Sequence, residues 1–322
     1  ADPAIREQVD EVSLAPIQGL PDEILLAIWS KLSPYHWGRL GCVCRAWRCA
    51  AEHPRLWEQG CEEAFQDLTR FPGPNALVGL MKKHQHSYKQ LFIKVPHLRF
   101  DGIYVSRNQY VRTGVAEWRN HSTYHVVVYY RYFRFFPCGT LLYRTSPSPL
   151  AKIYKSLQGP KASFLDPNGA PAQSATDAHI FVGRALLTNS ARDGLTRLLS
   201  VVRYPGGGRH HTEIRCRFVL RSAGAVGANN RLDVEALFSY DRELRTAASL
   251  DGGRSVQADT GIPLPGPADL LEAMNDEAGA GAGLARREHR RGLSSCVFIP
   301  TEQSKTHRVN TPSSEMDFYM PG

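Results

Sequence analysis

From Arg99 onward the chain is a succession of short β-branched and aromatic segments, each closed off by Gly, Pro, Asn or Ser. They read RFDGIYVS (99–106), QYVRTG (109–114), HVVVYYRYFRFFPCGTLLYRTS (125–146), HIFVGRALLT (179–188), RLLSVVRY (197–204), TEIRCRFVLRS (212–222), NRLDVEALFSYD (230–241) and SCVFIP (295–300). Strands of this length and spacing predict a mainly antiparallel β-barrel or sandwich over residues 99–322. Pro137-Cys138-Gly139 reads as the turn of a long hairpin, with the glycine able to take a positive φ. Two Ala/Gly/Pro-rich stretches, 158–177 and 250–292, interrupt the pattern and are expected to be mobile insertions. Within the second, Leu270–Met274 could make a transient helical turn. The basic run Arg286–Arg291 reads as a solvated loop more readily than as a nuclear import signal.

One strand carries the most unusual chemistry. Alternation puts Tyr130, Tyr132, Arg134 and Phe136 on one face and Tyr129, Arg131, Phe133 and Phe135 on the other. Each face therefore holds one arginine among aromatics, and a buried guanidinium needs a partner. An internal carboxylate or stacking on the rings would serve. The other reading makes Arg131 and Arg134 substrate-binding residues for acidic, phosphorylated or carboxylate-ended segments.

The first part of the chain has a different texture. In GLPDEILLAIWSKLSPYHWGRL, Pro21, Asp22 and Glu23 suit a helix start, and Leu20, Ile24, Leu25, Ile28 and Leu32 form an apolar stripe. Ser33-Pro34 and His53-Pro54 open further short helices, the last ending near Phe65. The result is a helical unit over 20–66, preceded by a tail over 1–19. Four of the five tryptophans (Trp29, Trp37, Trp47, Trp57) fall in it, an apolar load that predicts a face shared with something outside. Four of seven cysteines are there too, at Cys42, Cys44, Cys49 and Cys61. Leu40, Val43 and Trp47 recur at helical spacing, and residues two apart on a helix point away from each other. Cys42 and Cys44 are therefore read as packing residues rather than zinc ligands. Residues 67–98 form a helical connector, with Asn75 capping a helix through Leu77, Leu80, Met81 and Tyr88 that ends before Pro96. His84 and His86, two apart on it, are a poor pair for a metal.

The ordered pattern Leu20-Pro21-Asp22-Glu23-Ile24-Leu25, Ile28, Leu32, Val43-Cys44-Arg45-Ala46-Trp47 and Leu56-Trp57 resembles the F-box. That resemblance implies docking on the adaptor Skp1, and through it on a cullin and a RING protein. Matched residue by residue, Leu20, Pro21, Ile24, Leu25 and Ile28 would face Skp1, with Val43, Cys44 and Trp47 supporting or joining that face. Trp29 and Trp37 replace the smaller apolar residues more usual in the family. The following segment, from DGIYVS through Tyr110, Arg112-Thr113-Gly114 and Tyr129 to Gly139, is similar to the F-box only protein nine family. Cys138 departs from the Asp common there, and the helical repeats of animal members are absent before the F-box. The resemblance also implies a final strand beyond Tyr319–Gly322.

Catalytic signatures are missing: there is no Gly-x-Ser-x-Gly elbow, His-Glu-x-x-His motif or Walker loop. Pro205–Gly208 lacks a strand–helix setting, Cys138 has no evident base, and His210-His211 lack a third ligand. No catalytic residue, metal or cofactor is expected. The charged start, ADPAIREQVDEV, has no signal-peptide centre, and an odd number of cysteines suits reduced thiols in the cytosol or nucleus. Apolar runs are too short to cross a bilayer. An α+β substrate receptor of a ubiquitin ligase is the leading expectation. The alternatives are a barrel that carries a small ligand, which requires an apolar cavity, and a nucleic-acid module exploiting the net charge of +8.

Overall fold

Asp22 and Glu23 occupy the first turn of α1 (Asp22–Trp29), where carboxylates favour the helix N-terminus. The structure, a computed structural model, describes residues 20–65, 81–113, 124–158, 180–189, 193–203, 212–241, 286–289 and 292–311. Its chain contacts divide it into two units, 1–60 and 61–322. In the first, α1 is followed by α2 (Pro34–Leu40), with Pro34 in its first turn, α3 (Arg45–Ala51), and the start of α4 (Pro54–Phe65), whose residues from Cys61 onward belong to the second. Leu25 and Trp29, one turn apart on α1, point inward and are buried. Trp29 meets Trp47 edge-on at 5.5 Å, and Trp37 meets Trp57 edge-on at 5.3 Å. The indole N–H of Trp37 donates to the Trp29 carbonyl and that of Trp57 to the Ala51 carbonyl, both at 2.8 Å. Trp29, Trp37 and Trp57 are thus buried in this unit's own core, with Trp47 half-buried beside Trp29.

In the second unit, α5 (Tyr88–Lys94) starts at Ser87, whose hydroxyl accepts from the Gln90 amide. The continuous connector helix expected from sequence is broken before it. Residues 84–86 form a turn, with Gln85 and His86 at φ 55° and 54°, so His84 and His86 lie off any helix. Asn75, Leu77 and Leu80 lie outside the described residues.

Among the described residues nine strands follow: β1 (Gly102–Thr113), β2 (Tyr124–Phe135), β3 (Thr140–Ser146), β4 (Ile180–Asn189), β5 (Thr196–Arg203), β6 (Thr212–Arg221), β7 (Arg231–Asp241), β8 (Arg286–Glu288) and β9 (Cys296–Pro300). Neighbours β1 through β7 pair antiparallel in sequence order, and β9 joins β1 to β7. Eight strands therefore close an antiparallel barrel, and the sequence-stated choice between barrel and sandwich falls to the barrel. Gly139, at φ 78°, makes the β2–β3 turn as expected. Gly183 has no room for a side chain, since a Cβ there would sit 1.9 Å from the Val201 carbonyl oxygen on β5. Two segments read separately at 99–106 and 109–114 are one strand, β1. The basic run is also partly ordered: Arg286–Glu288 pairs with Tyr240–Phe238 of β7, so the second insertion stops short of 292. Of the proposed insertions, 159–177 and 250–285 lie outside the described residues.

All eight barrel strands contribute to the interior, among them Tyr104, Phe133, Phe135, Tyr143, Phe218 and Phe298. Outside β9, β1, β2, β3 and β4 a second layer forms. There α6 (Leu150–Ile153) and two 3₁₀ turns bring Leu150, Ile153, Leu157 and Val309 against Ile103, Val105, Tyr132, Leu142 and Ile299. Burial on both faces explains why these strands lack a clean polar alternation.

His97 is buried between Phe92 (4.2 Å) and Phe65 (5.5 Å), with Nδ1 2.9 Å from the Val95 carbonyl oxygen. Burial dominates and pushes its pKa down to about 4, against the opposing Val95 hydrogen bond. The unfolded chain therefore binds a proton near pH 6.5 that the fold refuses. Stability linked to His97 should be complete above pH 6.5 and be lost progressively down to about pH 4. The loss is on the order of 3 kcal/mol, and His97→Gln should flatten it. Denaturant titrations at several pH values in this window test this, and parallel curves for both proteins would reject it.

Candidate functional site

Helical geometry sets Ile24 and Ile28 of α1 along one stripe with the N-cap Pro21, about 100° round the helix from the buried Leu25 and Trp29. Ile24 and Ile28 are 49% and 42% exposed, Leu32 just beyond is 37% exposed, and Val43 in the α2–α3 turn is 59% exposed. Large apolar side chains left in water on so small a unit make this the candidate interaction surface. Leu20, Cys44 and Trp47 are half-buried. Leu25 is a correction: assigned to the outward face by its position in the motif, it faces the core. Leu32 was not assigned to that face, although its spacing from Ile28 carried the signal.

Three of the four sulfurs in this region have separate hydrogen-bond contacts. Cys42 and Cys44 are not on a helix. They sit in the turn between α2 and α3, so the helical argument used to separate them does not apply. The Cys42 thiol donates to the Gly38 carbonyl, and Cys44 caps α3 by accepting from the Trp47 amide at 3.4 Å. Cys49 is exposed, while the buried Cys61 donates to the Tyr88 carbonyl. All seven cysteines are free thiols. Among the described residues no three His, Cys, Asp or Glu side chains converge on a point. In the barrel, burial pushes the Cys216 thiol up to about 12 and raises that of Cys296 further. A thiol that stays protonated is a poor nucleophile.

The two arginines of β2 diverge. Arg131 points into the barrel, is buried, and donates to the Gly292 carbonyl, with its guanidinium 5.7 Å from the Tyr129 ring centre. Arg134 points to the outer layer, 5.3 Å from the Phe136 ring and 5.9 Å from the Tyr154 ring. No carboxylate among the described residues pairs with either. Arg131 is held by a backbone carbonyl, a partner that neither internal alternative named, and Arg134 lies against rings as the stacking alternative expects. Arg131→Ala should therefore lower the melting temperature by several degrees, since it leaves the Gly292 carbonyl and a cavity behind. Arg131→Lys should lower it less. Calorimetry distinguishes this from a role confined to binding, which would leave the melting temperature in place.

The chain matches two family models: "F-box-like" over residues 17–63 and "F-box only protein C-terminal region" over residues 79–322. It is an F-box protein. The helices α1 to α4 are the F-box, and the barrel falls in the C-terminal region of the F-box only family. The chain is similar to "F-box protein pof7" of Schizosaccharomyces pombe, 31% identical over 150 residues that cover 44% of this chain and 42% of that protein. It is also similar to "F-box protein HRT3" of Saccharomyces cerevisiae, 27% identical over 165 residues covering 45% and 47%. The alignments span less than half the length of these relatives. Neither matched family is an enzyme family. Among the described residues no helix of this F-box protein is long and apolar enough to cross a membrane.

Proposed function

We propose that this F-box protein is the substrate receptor of a Skp1–cullin–F-box ubiquitin ligase. In this reading the α1 stripe and Val43 dock on Skp1, the cullin and RING protein follow through it, and the barrel unit presents a protein substrate. The observation that carries the proposal is the exposure of Ile24, Ile28, Leu32 and Val43 on a unit whose own core already uses Leu25 and the tryptophans. The subunit performs no chemistry of its own. It raises the effective concentration of substrate beside an enzyme carried elsewhere in the complex. The free thiols suit a reducing compartment, and we place the protein in the cytosol or nucleus.

The ligand-carrier alternative asks for an empty apolar interior, whereas rings from β1, β2, β3, β6 and β9 fill this one. Pull-down of the whole chain with recombinant Skp1, followed by mass spectrometry of co-purifying proteins from cells, is the decisive experiment. Stoichiometric Skp1 is expected. Its absence would reject the receptor reading.

A further inference from the structure

The barrel's pairing stops before two of its strands do. β9 pairs with β1 only over Gly102–Val105, and β3 pairs with β2 only over Tyr130–Phe135. Beyond those limits β1 and β2 continue as a two-stranded ribbon, in register from Asn108↔Tyr129 to Thr113↔Tyr124. Among the described residues no third strand pairs with it. Ser294 approaches β1 by donating its amide to the Asn108 side chain and accepting from the Ser106 hydroxyl, and among the described residues no such contact is made beyond Asn108. A cleft of about 610 Å³ then opens along Gln109, Tyr110 and Val111, walled by Tyr129 and Gly292. Tyr110 and Tyr129 meet at 6.1 Å on one side of it.

The ribbon's two faces differ in chemistry. Cross-strand partners share a face, so Val111 lies beside Val126 and Thr113 beside Tyr124 on one side. On the other, Arg112 lies beside His125 and Tyr110 beside Val127. Val111, Val126 and Tyr124 are 59%, 64% and 70% exposed. Neither β1 nor β2 contains a single Asp or Glu, and the ribbon itself carries Arg112 and His125 on the face away from Val111. An open edge supplies the backbone groups that strand addition needs, and the two faces, one apolar and one carrying Arg112 and His125 with no carboxylate paired to them among the described residues, can select alternate side chains.

We infer that the β1 edge over Gln109–Thr113 receives an extended acidic segment of a partner protein as an added strand. Its side chains would alternate, apolar ones lying toward Val111 and carboxylates toward Arg112 and His125. Backbone hydrogen bonds to the edge supply affinity, and the alternation supplies selectivity. This rests on the receptor reading for its biological meaning, because it names the class of substrate segment the barrel unit takes. A single nucleic-acid strand is the competing occupant of a cationic, aromatic surface.

The test uses the full chain and fluorescent synthetic peptides in which Glu alternates with Val or Thr. Controls are block peptides of the same composition, alternating peptides with N-methylated amides, Lys-for-Glu peptides and an oligothymidine. Alternating acidic peptides should bind, with block, N-methylated and Lys peptides weaker by about tenfold or more. Amide exchange should slow in Gln109–Thr113 on binding. Val111→Glu and Arg112→Glu should each weaken binding about tenfold without shifting the melting temperature, since both side chains stand out from the barrel. The inference is overturned if no alternating peptide binds, if the block peptide binds as well, if protection falls elsewhere, or if oligothymidine displaces the peptide. Skp1 co-purification with the same variants should be unchanged. Wild-type protein that binds the peptide but not Skp1 would refute the receptor reading and leave the ribbon site standing.

Discussion

Changing Ile24 and Ile28 together to Asp should abolish co-purification with Skp1 and leave the melting temperature of the protein within about 2 °C of wild type. Both side chains already stand in water, so the substitution removes little packing in the free protein. In a docked complex it would bury two carboxylates with no partner, at a cost of about 1–3 kcal/mol each or more. Interfaces of ordinary size, about 1,200–2,000 Å², draw most of their affinity from a few central side chains, so a loss of at least about a hundredfold is expected. Leu25→Asp should behave differently. It places a charge inside the F-box core beside Trp29, so the helical unit itself should unfold, and loss of Skp1 would then say nothing about contact. The comparison separates a docking face from a folding requirement. Undiminished Skp1 binding by the Ile24/Ile28 variant would remove the docking proposal.

Leu25 also shows what the sequence can and cannot disclose. A family motif records which positions are apolar, and both Ile24 and Leu25 satisfy it. Which of two adjacent apolar residues points outward depends on where the neighbouring helices pack, and here Trp29 and Trp47 decide it. Strand existence was legible because β-branched and aromatic runs end at Gly, Pro and Asn. Closure of the barrel was not, since it depends on β9 reaching β1 and β7 at once and on a bulge between β6 and β7 at Arg217/Phe218. β8 was missed because Arg286–Glu288 is charged and short, and its pairing with β7 leaves no mark in the sequence. For Arg131 and Arg134 the alternation put them on opposite faces correctly. It could not tell that the inward arginine finds a carbonyl at Gly292, far along the chain. Carbonyl partners leave no mark in composition, whereas the missing Asp and Glu of β1 and β2 were readable all along.

Glu213→Gln should be among the most damaging single changes in the barrel unit, at about 3–5 kcal/mol. Glu213 is buried on β6, accepting from the Arg215 Nε at 2.6 Å and from the Arg203 Nε of β5 at 2.8 Å. Burial alone would raise its pKa, but Arg215 and then Arg203 outweigh it and hold the carboxyl below its ordinary value. The amide keeps the shape and loses the charge, which leaves two buried guanidiniums facing a neutral acceptor. Neighbouring Tyr240 stacks on Arg215, its ring centre 4.6 Å from the guanidinium, and can offset only part of that. At roughly 2–4 °C per kcal/mol for a unit of this size, the melting temperature should fall by about 10 °C. The pH dependence fixes the cause. A carboxyl with a lowered folded pKa contributes stability that is complete above its unfolded value, near 4.3, and is lost as pH falls through the folded value. The gap between wild type and Glu213→Gln should therefore stay constant from neutral pH to about pH 5 and close only in stronger acid. The His97 effect, which runs between about 6.5 and 4, is common to both proteins and cancels in their difference. Replacing Arg203, Glu213 and Arg215 together by Met, Leu and Met should recover part of the loss, because no unpaired charge remains among them. A Glu213→Gln protein melting within about 1 °C of wild type would mean that the two arginines find compensation elsewhere and that Glu213 is not what neutralises them.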